Sequence, residues 1–208
     1  MEPRLRELIS GVFTWPWFSE RHGYDFNGYL FPHVSGNVAV DPVEMPPAVL
    51  EEIAALGVAR IIITNRNHTR ASGRLRERTG APIEIHPADR AHATAQGVAI
   101  DREVSVGEAI GPFTVVGAEG KSPGEIALHW LERKILVVGD ACVGKPPGEC
   151  ALLPESVMDD PGALRRSLVR LARSVDFDVL LPGDGATILS GGRAALERLV
   201  GTFPRDRQ

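Results

Sequence analysis

The chain has 208 residues, 43% hydrophobic and 24% charged, and its 23 basic against 27 acidic side chains give a net charge of −4. That apolar content is too high for a disordered chain, and no apolar run approaches the roughly 20 residues that a membrane-spanning helix needs. Two cysteines cannot build a disulfide framework or a Cys-rich zinc module, and a mildly acidic chain carries no basic footprint for nucleic acid.

Met1 to Ser10 holds no long apolar stretch, so no secretory signal is read and a cytoplasmic setting is expected. Cys142 and Cys150 are then expected as free thiols. The length fits one domain spanning 1–208. Eight of the twelve aromatic residues lie between Phe13 and Phe31. They predict N-terminal strands covering a sheet, with the alternative that some line a cleft rim or a homodimer surface. Val38–Val40 reads as a strand stopped by Asp41-Pro42, and Pro47–Leu56 as a helix stopped by Gly57. Ile61–Ile63 is a second short strand, followed by a helix over Ala71–Thr79. Pro82–Ile85, Phe113–Val116, Ile126–Trp130 and Ile135–Val138 read as further strands, the last two joined by a turn at Glu132-Arg133. Asp160-Pro161 is an N-cap and first-turn proline, and Leu164, Leu168, Leu171 and Val175 form one helical stripe. Val179–Leu181 and Thr187–Leu189 read as strands, Ala194–Val200 as a last helix, and Pro204–Gln208 as a frayed tail. Hairpins beside strand–helix–strand units fit two layered sheets with helices outside.

Gly139–Lys145 matches the spacing of a phosphate-binding loop after a strand. The next residues are Pro146, Pro147 and Gly148, which supply no hydroxyl and cannot continue a helix, so nucleotide binding is not expected there.

The strand ends carry the chemistry. Ile61–Thr64 runs into Asn65-Arg66-Asn67-His68-Thr69-Arg70. Further on come Gly120-Lys121-Ser122-Pro123-Gly124, then Gly139-Asp140, then Gly183-Asp184-Gly185. In order and spacing these pieces resemble the metallo-β-lactamase superfamily over about residues 28–200. The resemblance implies an α/β fold, a four-layer αββα sandwich with its site at strand ends, and ancestry among hydrolases. In that family the first strand runs into T-H-x-H-x-D-H, followed by G-H-[ST]-P-G, G-D and G-H-G. Here the framework matches but the metal ligands do not. The family's first two His positions are Asn65 and Asn67, its Asp is Thr69, and the adjoining His is Arg70. Lys121 and Asp184 take two further His positions, and only Asp140 keeps its type.

Asn is a weak ligand and Lys⁺ and Arg⁺ repel a cation, so a dinuclear zinc site is not expected. Lys121 and Arg70 are instead expected to neutralise Asp140 and Asp184, which would need compensation in a cleft. Three functions stay open. The first is a metal-independent protein that binds a small anionic ligand through Asn65, Asn67, Arg70 and Asp184, with no cofactor, nucleic acid or membrane as partner. The second is a hydrolase with altered chemistry: His68 as base, Lys121 and Arg70 stabilising an oxyanion, Asp140 orienting them, or one divalent metal at Asp140 and Asp184. The third is a structural or partner-binding protein using the aromatic segment, Trp15 and Trp17 included. His68 reads equally as a surface or capping residue, and Asn65 and Asn67 as turn residues. His86 and His129 fall on expected strands, and Glu125 is spaced to pair with Lys121 or Arg70. Arg66, Arg70, Arg74 and Arg78 recur every four residues, as a solvated face or an anion-attracting rim.

Overall fold

The computed structural model describes residues 4–204, so the expected fraying of 205–208 lies outside the described residues. Seven strands form a first sheet in chain order: β1 (Arg6–Ile9), β2 (Val12–Ser19), β3 (Tyr24–Phe31), β4 (Val38–Val40), β5 (Arg60–Ile63), β6 (Ile83–Ile85) and β7 (Arg102–Glu103). The first four pair antiparallel and the last four parallel. Parallel neighbours need crossovers, which α1 (Pro47–Leu56), α2 (Ser72–Thr79) and α3 (Pro87–Ala95) supply. The second sheet has the order β12-β11-β10-β9-β8, from β8 (Ala109–Ile110), β9 (Phe113–Gly117), β10 (Ile126–Trp130), β11 (Ile135–Gly139) and β12 (Val179–Pro182). α4 (Pro161–Ser174) links β11 to β12, which pair parallel, and α5 (Gly192–Gly201) follows.

Strand periodicity sorts the core into three layers. Ile61 and Ile63 face the helices with Ile53 of α1 and Leu75 of α2. Ile62, between them, points the other way and meets Phe31, Leu128, Val137 and Leu181 between the sheets. Phe31 and Phe113 contact edge to face at 4.8 Å across that seam. Leu164, Leu168 and Leu171 of α4 close the far side with Leu136 and Leu180. The outcome is the αββα sandwich that the strand-end pattern implies.

Asp160 caps α4 by accepting from the Ala163 amide at 2.8 Å, with Pro161 in the first turn. Thr187–Leu189 is not a strand; Ile188 makes an isolated bridge to Leu180. His86 is not on a strand either: it is the N-cap of α3, and its side chain accepts from the Ala88 amide. Trp15 is fully buried in the helix-facing core, so it cannot form a dimer surface; Trp17 and Phe18 are exposed. No helix among the described residues is long and apolar enough to cross a membrane.

The two sheets are tied together at one end. Asn27 of β3 donates to the Pro182 and Gly185 carbonyls, and the Tyr29 hydroxyl donates to Pro182 at 2.7 Å. The Ile126 amide donates to the Thr64 carbonyl, and the Gly183 amide to the Gly139 carbonyl. This gathers the ends of β5, β11 and β12 and the turn before β10 into one place.

Candidate functional site

His68 stands at the centre of these strand ends, fully buried. Its Nδ1 lies 2.8 Å from Asp41 Oδ2 and its Nε2 2.9 Å from Asp140 Oδ1. Carboxylates only accept, so both ring nitrogens must donate, and the ring is an imidazolium. Burial and the charge of Arg70 oppose that form, but Asp140 and Asp41 outweigh them and raise the pKa to about 10. Conversely, burial pushes the Asp140 carboxyl up, but His68, Lys121 and Arg70 outweigh it and hold the group well below the usual range. Asp41 also accepts from the Thr64 amide at 2.8 Å and from the Thr64 hydroxyl at 2.6 Å. It adopts a left-handed φ of 47°, uncommon for a residue with a side chain. Gly183 makes room for the ring: a Cβ there would stand 2.4 Å from His68 Cε1.

The turn before β10 places Lys121. Asp89 of α3 accepts from the Gly124 and Arg66 amides, each at 2.9 Å, and from the Ser122 hydroxyl, so it fixes two loops at once. Lys121, nearly buried, then puts its Nζ 3.5 Å from Asp140 Oδ2. Glu125 accepts from the Asp140 amide at 2.8 Å and from Asn65 at 3.3 Å, while its Oε2 is buried without a partner. Burial, then the Asp140 charge, push its carboxyl well up, which favours the neutral acid. Arg70 stacks over Phe26 at 4.0 Å and donates to Asp184 at 2.9 Å, leaving Nη1 buried without a partner. Burial and then Asp140 raise the Asp184 carboxyl, with Arg70 opposing.

These groups line a cavity of about 840 Å³. Its polar side presents Asn67, Arg70, Lys121, Asp140 and Asp184, with Arg21 and Lys145 at the exposed rim. Its other wall is apolar, from Leu152 to Val157. Among the described residues, His68, Asp140 and Asp184 are the three acidic or imidazole groups whose ligand atoms all come within 4.8 Å of one another.

The sequence matches the metallo-beta-lactamase superfamily over residues 8–203. The chain belongs to that superfamily. A crystal structure of TTHA1623 in a di-iron-bound form is 25% identical, with a TM-score of 0.68, and the match covers 88% of this chain and 97% of that one. A metallo-beta-lactamase from Pontibacter korlensis is 16% identical at a TM-score of 0.78, covering 97% of this chain and 100% of the other. A metallo-beta-lactamase family protein from Thermus thermophilus, TTHA1429, is 20% identical at 0.71, covering 94% and 80%. Comparison with curated proteins gives no match.

On this metallo-β-lactamase fold, Lys121 and Arg70 do stand against Asp140 and Asp184, Lys121 pairing with Asp140 and Arg70 with Asp184. Asn67 reaches the cavity; Asn65 is buried beneath it, where its side chain accepts from the Asn67 amide at 2.9 Å. His68 is neither a surface residue nor part of the cavity lining. Glu125 pairs with neither Lys121 nor Arg70, but holds the Asp140 amide instead. The arginine stripe does not form one face: Arg66 pairs with Asp159, Arg70 with Asp184 and Arg78 with Glu51, while Arg74 donates to the Met45 carbonyl. No helix follows Lys145, and Gly144 instead runs against Gly185 so closely that a Cβ would overlap Ala186. Sequence reasoning gives no site role to Asp41, which it reads only as part of the Asp41-Pro42 strand stop, or to Asp89. Asp89 carries one signal, its place in the first turn behind a helix-starting proline; Asp41 carries only its left-handed turn before Pro42.

Proposed function

We propose that this metallo-β-lactamase-fold protein works without a metal and binds a small anion in its strand-end cavity. One observation carries the reading: three cations, His68, Lys121 and Arg70, already occupy the two cavity carboxylates. The related TTHA1623 structure is in a di-iron-bound form. The His68–Asp140–Asp184 group would meet a metal on distance alone. Its chemistry does not fit. An imidazolium with both nitrogens donating offers no lone pair, and a metal ion would have to displace Lys121 and Arg70 from the carboxylates. The same geometry counts against the altered hydrolase, because His68 has no free nitrogen to act as a base toward a substrate. What the cavity does offer is positive charge: four cationic side chains against two carboxylates.

Three measurements test this. Metal analysis of the purified chain after dialysis should find well under one equivalent of zinc, iron or manganese. Near-stoichiometric metal would overturn metal independence, including at Asp140 and Asp184. Calorimetry should detect inorganic phosphate binding, weakened about tenfold or more in Lys121→Met, the loss of one charge-assisted contact. Absence of phosphate binding sinks the anion reading. Turnover in a broad hydrolase screen that Asp140→Asn abolishes would favour the altered hydrolase.

A further inference from the structure

Half of the cavity has no role in binding a bare inorganic ion. Opposite Lys121 and Arg70, the segment 151–157 presents Leu152, Leu153, Pro154 and Val157, and Phe26 faces in beneath Arg70. Val157 is 49% exposed, an apolar side chain turned to water at the rim. Ligand sites are mostly apolar, with a few placed polar groups that fix orientation, and their usual volumes include about 840 Å³. A phosphate ion would fill only the polar end and leave this wall wet.

The charges set the head group. Arg21, Arg70, Lys121 and Lys145 against Asp140 and Asp184 leave an excess of two positive charges in the lining. Behind the lining, the His68 imidazolium is matched by Asp41, and neither residue lines the cavity. A ligand with two negative charges restores neutrality; a neutral one leaves the excess uncompensated. Lys121 Nζ, with three N–H groups and its carboxylate partner as far as 3.5 Å, has donors to give.

We propose that the ligand is an organic dianion with an apolar substituent, its charged group between Lys121 and Arg70 and its apolar part against the 151–157 wall. This rests on the anion-binding reading above and adds the apolar half. Calorimetry on the full chain with inorganic phosphate, phenyl phosphate and phenol separates the two. Phenyl phosphate should bind about tenfold or more tighter than inorganic phosphate, because the phenyl ring leaves water. Phenol alone should bind far more weakly. Val157→Ser, at an exposed position that spares the core, should weaken phenyl phosphate several-fold. Equal affinity for phosphate and phenyl phosphate, or no effect of Val157→Ser, overturns the apolar half and leaves anion binding standing. Phenol matching phenyl phosphate overturns the role given to the head group. Failure of both phosphates to bind overturns the anion reading itself.

Discussion

His68 decides the character of the site. From sequence it reads as a base or a surface residue; it is fully buried instead of at the surface, and Asp41 at 2.8 Å and Asp140 at 2.9 Å take up its two ring nitrogens. Its partner Asp41 lies 27 residues earlier, on no shared periodicity, so the clamp is illegible in the sequence. That Lys121 and Arg70 neutralise Asp140 and Asp184 is legible, because two cations and two carboxylates stand at strand ends; which cation takes which carboxylate is set by the fold. The clamp has a pH signature. The imidazolium has a folded pKa of about 10 against 6.5 for the free side chain. Its stabilisation is complete below pH 6.5 and is lost as pH rises toward 10. The raised Glu125 carboxyl acts in the same direction, since the folded state keeps a proton that the unfolded state releases. Unfolding free energy by urea titration should therefore fall between pH 6.5 and pH 10, by up to about 1.4 kcal/mol per pH unit from His68 alone. In His68→Gln the His68 share of the fall should disappear, leaving only that of Glu125, and stability at pH 6 should drop by about 3–5 kcal/mol as Asp41 loses its counter-ion and Asp140 keeps only Lys121. Stability that is flat or rises over that range contradicts the imidazolium.

Elements with hydrophobic runs and a clear stop can be read from sequence, and those without cannot. Pro47–Leu56 and Ile126–Trp130 match their expected bounds because Gly57 ends one and the Glu132-Arg133 turn ends the other. α3 escapes such a reading because its buried residues are Asp89 and Ala93, which make no apolar stripe. The two-residue strands β7 and β8 are too short to show alternation. Yet α3 matters to the site through Asp89, and α4 matters through its start. The Asp160 amide donates to the Gly120 carbonyl, so the helix that packs on the second sheet also fixes the turn carrying Lys121. Gly120 has φ 138°, and a Cβ there would meet the Leu164 amide nitrogen at 2.2 Å. Gly120→Ala should cost about 3 kcal/mol or more by denaturation, since backbone must move. It should also weaken phosphate binding, because Lys121 follows directly. Leu168→Ala, in the same helix but facing the core, should cost about 2–5 kcal/mol without that binding defect. Equal binding losses in the two variants would detach the turn from the helix.

Across the whole molecule, charge is distributed against its own sum. The net charge is −4, yet the cavity lining carries two more positive than negative groups. The acidic excess therefore lies elsewhere, and an approaching anion meets repulsion at long range and attraction close to the cavity. Salt screens the two unequally, because the Debye length is about 8 Å at physiological ionic strength. Exposed rim cations, Arg21 and Lys145, act through solvent and are screened; Lys121 and Arg70, mostly buried, are screened much less. Raising salt from about 20 to 200 mM sodium chloride should thus weaken phenyl phosphate only modestly in the wild type. In Arg21→Gln with Lys145→Gln the affinity should fall at low salt, and its remaining salt dependence should shrink or reverse sign, as the long-range repulsion is left as the screened component. Lys121→Met should instead lower affinity at every salt concentration. A double rim variant with the salt dependence of the wild type would mean that the rim cations take no part in drawing the anion in, and that the buried pair alone sets its affinity.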